Sequence, residues 1–215
     1  MSDLRQRYNE LSAACSANGG RLLAVAKRQP MELLEAAYAM GQRDFAQSYV
    51  QEAIAVREAL ERRMPEARWH FIGRIQSNKT RHLEQGWYRI HSVDRIRIAK
   101  RLGTADCLIQ VRLGGEHSKA GVDPGKLKGL IEAIRCESTV RIRGLMALPP
   151  PLAEWGNVDH FADLARRRDA LMDEGLLESD GGELSMGTSG DFQKAIAAGS
   201  DWLRIGTGLF GARMS

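Results

Sequence analysis

Eight short apolar runs recur along the chain, and a helix-like segment separates each from the next. No other feature constrains the fold as much, because strands joined through helices lie parallel in one sheet that the helices cover. The runs are RLLAVAKRQ, RDFAQSY, RWHFIGRI, YRIHSV, ADCLIQVRL, VRIRGLMAL, GELSMGTS and DWLRIGTGLFG. They begin at Arg21, Arg43, Arg68, Tyr88, Ala105, Val140, Gly182 and Asp201. An opening helix over residues 3–17 precedes them and stops at Asn18-Gly19-Gly20. Further helices are expected from Pro30 to Met40, over 50–63, to Leu83, from an Asp94 N-cap to Arg101, from Lys126 to Arg135, over 157–174 and from Asp191 to Gly199. Eight strands in 215 residues predict an α/β fold, a single (β/α)8 TIM barrel with an extra N-terminal helix, as one domain over residues 1–215. An open doubly wound sheet is the alternative, since periodicity does not count barrel closure; the number of strands favours the barrel.

Composition narrows the function classes. The chain is 43% hydrophobic and 27% charged, which suits a globular domain with a substantial core. No window approaches the ~18 consecutive apolar residues of a membrane span, and MSDLRQRYNE lacks the apolar centre of a signal peptide. A cytoplasmic protein is expected. Cys15, Cys107 and Cys136 form no framework and no metal-ligand pattern, so they are read as reduced thiols, and no metal is assigned. The net charge of +4 is spread among acids. The densest basic run, Ala165 to Ala170, reads as a solvated helix face rather than a nucleic-acid surface. The four tryptophans read as packing residues and His70 as a core or edge histidine.

In a barrel, chemistry collects where the strands end and in the loops that follow. Those places hold Lys27, Gln47, Ser48, Gly73, Gln76, Asn78, His91, Arg112, Met146, Ser185, Ser189, Arg204, Gly206 and Thr207. Lys27 closes the first run and has two equal readings. It reaches past the strand into solvent, or it is held from water, where a neutral amine attacks an aldehyde carbon. SMGTS and RIGTG put small residues and hydroxyls after runs seven and eight, where barrels often build a phosphate site. Each loop alone is ordinary turn chemistry; the pair, with a reactive lysine, points to a phosphorylated aldehyde. Pyridoxal 5'-phosphate (PLP) is the first candidate, with a sugar-phosphate aldolase substrate behind it.

Several stretches together resemble the YggS/PROSC family of PLP homeostasis proteins: LLAVAKRQP, YVQEA, WHFIGRIQSNKTR, IHSVDR, SKAGV, RGLMALP, LSMGTSGDF and AIAAGSDWLRIGTGLFGAR. The resemblance covers nearly the whole chain, and it implies a barrel like the N-terminal domain of alanine racemase. It further implies that PLP is held as a Schiff base on Lys27, that the phosphate falls on Ser185, Ser189, Gly206 and Thr207, and that Arg204 meets the pyridine nitrogen. Met186 would lie beside the cofactor. With Ser48, His91 and Met146 from the strand ends, these make up the expected cofactor site. A guanidinium donates to the ring nitrogen without readily protonating it, which leaves a poorer electron sink. Racemases of this type also use a base from a second domain, for which this chain has no evident room. The expectation is therefore a monomeric protein that buffers PLP and delivers it to apo-enzymes in transient contacts. A PLP-dependent amino-acid racemase or lyase is the alternative. Family members commonly read FGENYVQE and GPLQSNK; Ala46, Gln47, Ser48 and Arg74 depart from that pattern, and PLP binding is expected to survive the change.

Overall fold

The computed structural model describes residues 2–114, 120–178 and 180–212. Eight parallel strands close into a barrel in chain order: β1 (Arg21–Val25), β2 (Asp44–Gln47), β3 (Arg68–Phe71), β4 (Arg89–Val93), β5 (Asp106–Val111), β6 (Arg141–Ala147), β7 (Glu183–Ser185) and β8 (Trp202–Ile205). The last strand returns to the first through Arg21 to Ala24 against Trp202 to Ile205. All eight predicted strands are present, and the open-sheet alternative is excluded by that closure.

Helix α1 (Ser2–Ser16) precedes the barrel, as expected. The strands are then followed by α2 (Met31–Ala39), α3 (Val50–Leu60), a 3-10 turn at Thr80–His82, α4 (Ile96–Ala99), α5 (Leu127–Glu137), α6 (His160–Asp173), α7 (Phe192–Ala197) and α8 (Thr207–Phe210). Several boundaries differ from the sequence expectation: α3 ends at Leu60 rather than at 63, and the end of the eighth run folds as α8 rather than as strand. Asp94 does not cap α4: Arg95 stands in extended conformation before Ile96, and the Asp94 carboxylate pairs with the Arg95 guanidinium instead. The cap that was not anticipated is Asp159, whose carboxylate accepts the N–H groups of Phe161 and Ala162 and opens α6. The basic run lies on α6, where Arg166 and Arg167 pair with Asp163 and Arg168 pairs with Asp169.

Alternation along each strand divides the core into two layers. Leu22, Phe45, Phe71, Ile90, Cys107, Leu145, Leu184 and Leu203 face the helices in one continuous core. Leu23, Ala46, Leu108, Met146 and Trp202 fill the barrel interior. Gly144 shows why the β6–β7 pair needs a glycine. Its φ is 149°, and a Cβ there would fall 1.9 Å from the Glu183 carbonyl oxygen.

Charges close the N-terminal end of the barrel. Arg89 reaches Glu183 at 3.0 Å and Asp106 at 2.6 Å, Arg143 adds a contact to Asp106 at 3.3 Å, and the Trp202 indole donates to Glu183 at 2.9 Å. Each carboxylate meets more than one donor, the condition under which burying such groups is tolerated. Function is left to the opposite end.

Candidate cofactor site

Lys27 lies two residues beyond β1, in a turn that the Gln29 N–H closes onto the Ala26 carbonyl at 3.1 Å. Arg28 occupies the left-handed region at φ 55°, an uncommon conformation for a side chain of that size. Glu52 on α3 holds the turn by accepting the Arg28 N–H at 2.5 Å. Lys27 is half-buried, between the two readings its strand-end position left open.

The amine opens on a cavity of about 430 Å³ at the C-terminal end of the barrel. Ser48 and Ile72 line it from the ends of β2 and β3, Leu148 from β6, and Thr188, Ser189 and Gly190 from the loop after β7. Val25, Arg204, Gly206 and Thr207 complete the wall. A second hollow of about 350 Å³, walled by Pro149, Pro150 and Pro151, shares Leu148, Thr188, Gly190 and Arg204 with the first. The mouth is thus broad on its proline side. Gly73 sets the position of Ser48: a Cβ at Gly73 would lie 1.9 Å from the Ser48 carbonyl oxygen, so the two loops touch backbone to backbone.

Of the ten residues expected at the site, Lys27, Ser48, Ser189, Arg204, Gly206 and Thr207 line this one cavity. The other four do not. Met146 is buried in the barrel interior below it. Met186 belongs to the layer between β7 and the helices, because Glu183 and Ser185 take the inward positions of that strand. His91 and Ser185 are fully buried one level beneath the mouth. The Ser185 hydroxyl, expected at a phosphate, is instead 2.9 Å from Arg204 Nη1 and 2.8 Å from His91 Nδ1. Val25, Ile72, Leu148, Thr188 and Gly190 were not anticipated individually; Thr188 and Gly190 lie in or beside the SMGTS stretch that signalled the loop.

Arg204 is 3% exposed, and its Nη2 donates to the Ala147 carbonyl at 2.8 Å. No carboxylate lies within ion-pair distance of it among the described residues. Burial brings its pKa down to about 10, with Asp191 opposing, so the guanidinium stays charged at neutral pH. Two of its N–H groups are used by protein acceptors. A buried cation so placed suits a ligand that supplies a lone pair or a negative charge.

The residues fit PLP on three independent counts. An amine stands at the wall to meet an aldehyde, and a buried guanidinium is available to a ring nitrogen. The loops after β7 and β8 supply hydroxyls and glycines, and around Gly190 a Cβ would meet nothing within 4 Å. The cavity volume lies within the several hundred Å³ usual for such ligands. Among the described residues, no group of three or more His, Cys, Asp or Glu is placed to hold a metal ion, and no helix is long and apolar enough to cross a membrane.

Residues 1–214 match the family model of the alanine racemase N-terminal domain. The chain is 44% identical over 201 residues to the pyridoxal phosphate homeostasis protein of Pseudomonas aeruginosa, covering 89% of this chain and 84% of the relative. It is 38% identical over 227 residues to the protein of the same name from Escherichia coli K12, covering 98% and 95%. The structure of Synechococcus elongatus PipY with PLP bound superposes with a TM-score of 0.86 at 34% identity, over 97% of this chain and 100% of that one. Alanine racemase of Clostridium difficile shares the fold, with a TM-score of 0.77 at 13% identity over 58% of its length.

Proposed function

From the premise that the chain belongs to the family of pyridoxal phosphate homeostasis proteins, built on the alanine racemase N-terminal domain, we propose that it binds PLP at the mouth of its barrel and maintains the supply of that cofactor. The observation that carries the reading is the meeting of Lys27 and Arg204 on one cavity with the loops after β7 and β8. The Lys27 amine would hold the cofactor through its aldehyde as a Schiff base, with loss of water. Arg204 would donate to the pyridine nitrogen, and Ser189, Gly206 and Thr207 would receive the phosphate, with Thr188 and Gly190 beside them. Residues 1–215 then act as one cofactor-binding domain.

PLP, when bound, supplies an electron-withdrawing ring, and turnover of an amino acid would further need a second group to exchange protons with the substrate. Apart from Lys27, the described residues lining this cavity are apolar, small or hydroxylic, or the guanidinium of Arg204. A guanidinium is a poor proton exchanger. This supports holding and release over catalysis, and the broad proline-walled side of the mouth is where apo-enzymes would make transient contact. The departures at Ala46, Gln47 and Ser48 are compatible with this, since Ser48 still presents a polar side chain to the cavity and Gln47 is buried outside its wall.

Protein purified with PLP is expected to absorb in the visible range, and Lys27→Ala is expected to lose that band. If the band persists unchanged, the anchor lies elsewhere. Lys79 lines a separate hollow with Ser48 and Arg74, and Lys119 lies outside the described residues. Racemisation of an amino acid that depends on Lys27, read by chiral chromatography, would replace the supply reading with an enzymatic one.

A further inference from the structure

A line of hydrogen bonds runs through the barrel from its closed end to the cavity. Asp44 Oδ1 lies 3.1 Å from His70 Nε2, and His70 Nδ1 lies 2.9 Å from His91 Nε2. His91 Nδ1 lies 2.8 Å from Ser185 Oγ, which lies 2.9 Å from Arg204 Nη1. The five residues come from β2, β3, β4, β7 and β8, and all are buried.

The chemistry of the two ends fixes the direction of every bond between them. A guanidinium only donates, so Ser185 Oγ accepts from Arg204. At the other end, Asp44 accepts from Arg68 at 2.7 and 2.6 Å as well as from His70. Burial works against the Asp44 carboxylate, but those hydrogen bonds outweigh it and hold its pKa below the usual value. Asp44 is therefore an acceptor only, and His70 carries its proton on Nε2. The His70 Nδ1 lone pair then requires a proton on His91 Nε2, and the His91 Nδ1 lone pair takes the Ser185 hydroxyl proton. Every donor meets an acceptor with both imidazoles neutral.

The opposite direction fails. It would set the bare Nε2 of His70 against a carboxylate and leave the Ser185 proton without an acceptor among the described residues. Charging an imidazole is disfavoured as well. Burial lowers both histidines, and although Asp44 opposes this at His70, Arg89 and Arg68 support it; at His91, His70, Arg204 and Arg89 all act with burial. Tyr88 and Trp202 pack against His70, with centroids 5.1 and 4.7 Å away, and complete its surroundings.

We propose that Asp44, His70, His91 and Ser185 form a one-way hydrogen-bond line that positions Arg204 for the pyridine nitrogen of PLP, with both imidazoles held as neutral Nε2–H tautomers. Together with the Ala147 carbonyl, Ser185 grips the guanidinium at both terminal nitrogens and so fixes its plane beneath the cavity. The four are positioning residues, since none of the Asp44, His70, His91 and Ser185 side chains lines the cavity. The role at PLP rests on the function proposed above; the direction of the line does not.

Two measurements separate these parts. Long-range proton–nitrogen spectra of the cofactor-free protein, with His82, His117 and His160 assigned through their own Gln variants, are expected to show two neutral imidazoles protonated on Nε2. A proton on Nδ1 of either, or on both nitrogens, would overturn the direction without reference to PLP. In PLP-loaded protein, Ser185→Ala is expected to keep one PLP per chain on Lys27, to alter the visible spectrum and its pH profile, and to release PLP at least about tenfold faster, the effect of one charge-assisted hydrogen bond. Ser185→Thr, which keeps the hydroxyl, is expected to restore the wild-type spectrum. A folded Ser185→Ala protein whose spectrum and release match wild type would refute positioning. A wild-type protein that takes up no PLP would refute the proposed function instead.

Discussion

Acidification from about pH 7.5 to about pH 5.5 should destabilise this protein by a calculable amount, because the barrel buries two imidazoles that stay neutral. His70 and His91 are both 0% exposed, and both lie below the ordinary histidine value of 6.5. Burial is the principal cause; at His70 the Asp44 carboxylate opposes it, and at His91 the neighbouring His70, Arg204 and Arg89 reinforce it. In the unfolded chain each imidazole gains a proton as the pH falls through 6.5, whereas in the native state burial delays that uptake to lower pH. The unfolded state then holds more protons, so stability is full above that value and declines below it. An imidazole that remains neutral in the native state across this window loses about 1.4 kcal/mol, one factor of ten in the unfolding equilibrium. His91, the more strongly shifted, contributes up to that amount, and the pair together contributes up to about 2.7 kcal/mol. His160, also lowered by burial, acts in the same direction, and Asp201, whose carboxyl burial pushes up, acts against it. Urea unfolding followed by tryptophan fluorescence at constant ionic strength measures the difference, provided the dependence on urea is the same at both pH values. Stability that is flat or rises on acidification would refute the neutral buried pair.

Three further outcomes follow from close contacts and burial. Gly73→Ala should cost about 1–3 kcal/mol in urea unfolding and weaken PLP retention, because the new Cβ meets backbone that no rotamer can move. Gly206→Val should weaken PLP binding in equilibrium dialysis by about tenfold or more, because Gly206 lines the cavity where the phosphate is proposed to sit and the new side chain takes up room there, its Cβ meeting Val25 at 3.5 Å. A thiol reagent should modify the native protein quickly at exposed Cys136 alone, while Cys15 and Cys107, buried and pushed up to about 11 and about 12, react only on unfolding; fast modification of two or three thiols would contradict that burial.

The eight strands were legible because each carries a dense apolar run bounded by turn residues, and parallel strands covered by helices need such runs. Lys27, Ser48, Ser189, Arg204, Gly206 and Thr207 were legible because a barrel places its chemistry at strand ends, a rule that depends on position alone. Depth was not legible. His91 and Ser185 stand near the ends of their runs, yet the stagger of the barrel sets them one level below the mouth, where they meet each other across 94 residues of sequence. His70 could be read as a core histidine but not given its partners, which lie 26 and 21 residues away on neighbouring strands. Met186, which the resemblance put beside the cofactor, is turned by strand alternation to the face opposite Ser185 and does not line the cavity. The left-handed Arg28 carried no glycine or asparagine to announce it, and Glu52 on a later helix holds it in place.

In the proposed function Lys27 anchors PLP and Arg204 meets its ring nitrogen. The most direct test is to load the protein with PLP, reduce it with borohydride, digest it and map the modified peptide by mass spectrometry. One phosphopyridoxyl group per chain is expected, carried on Lys27. A group found on Lys79, Lys119 or any other lysine while Lys27 remains unmodified would contradict it.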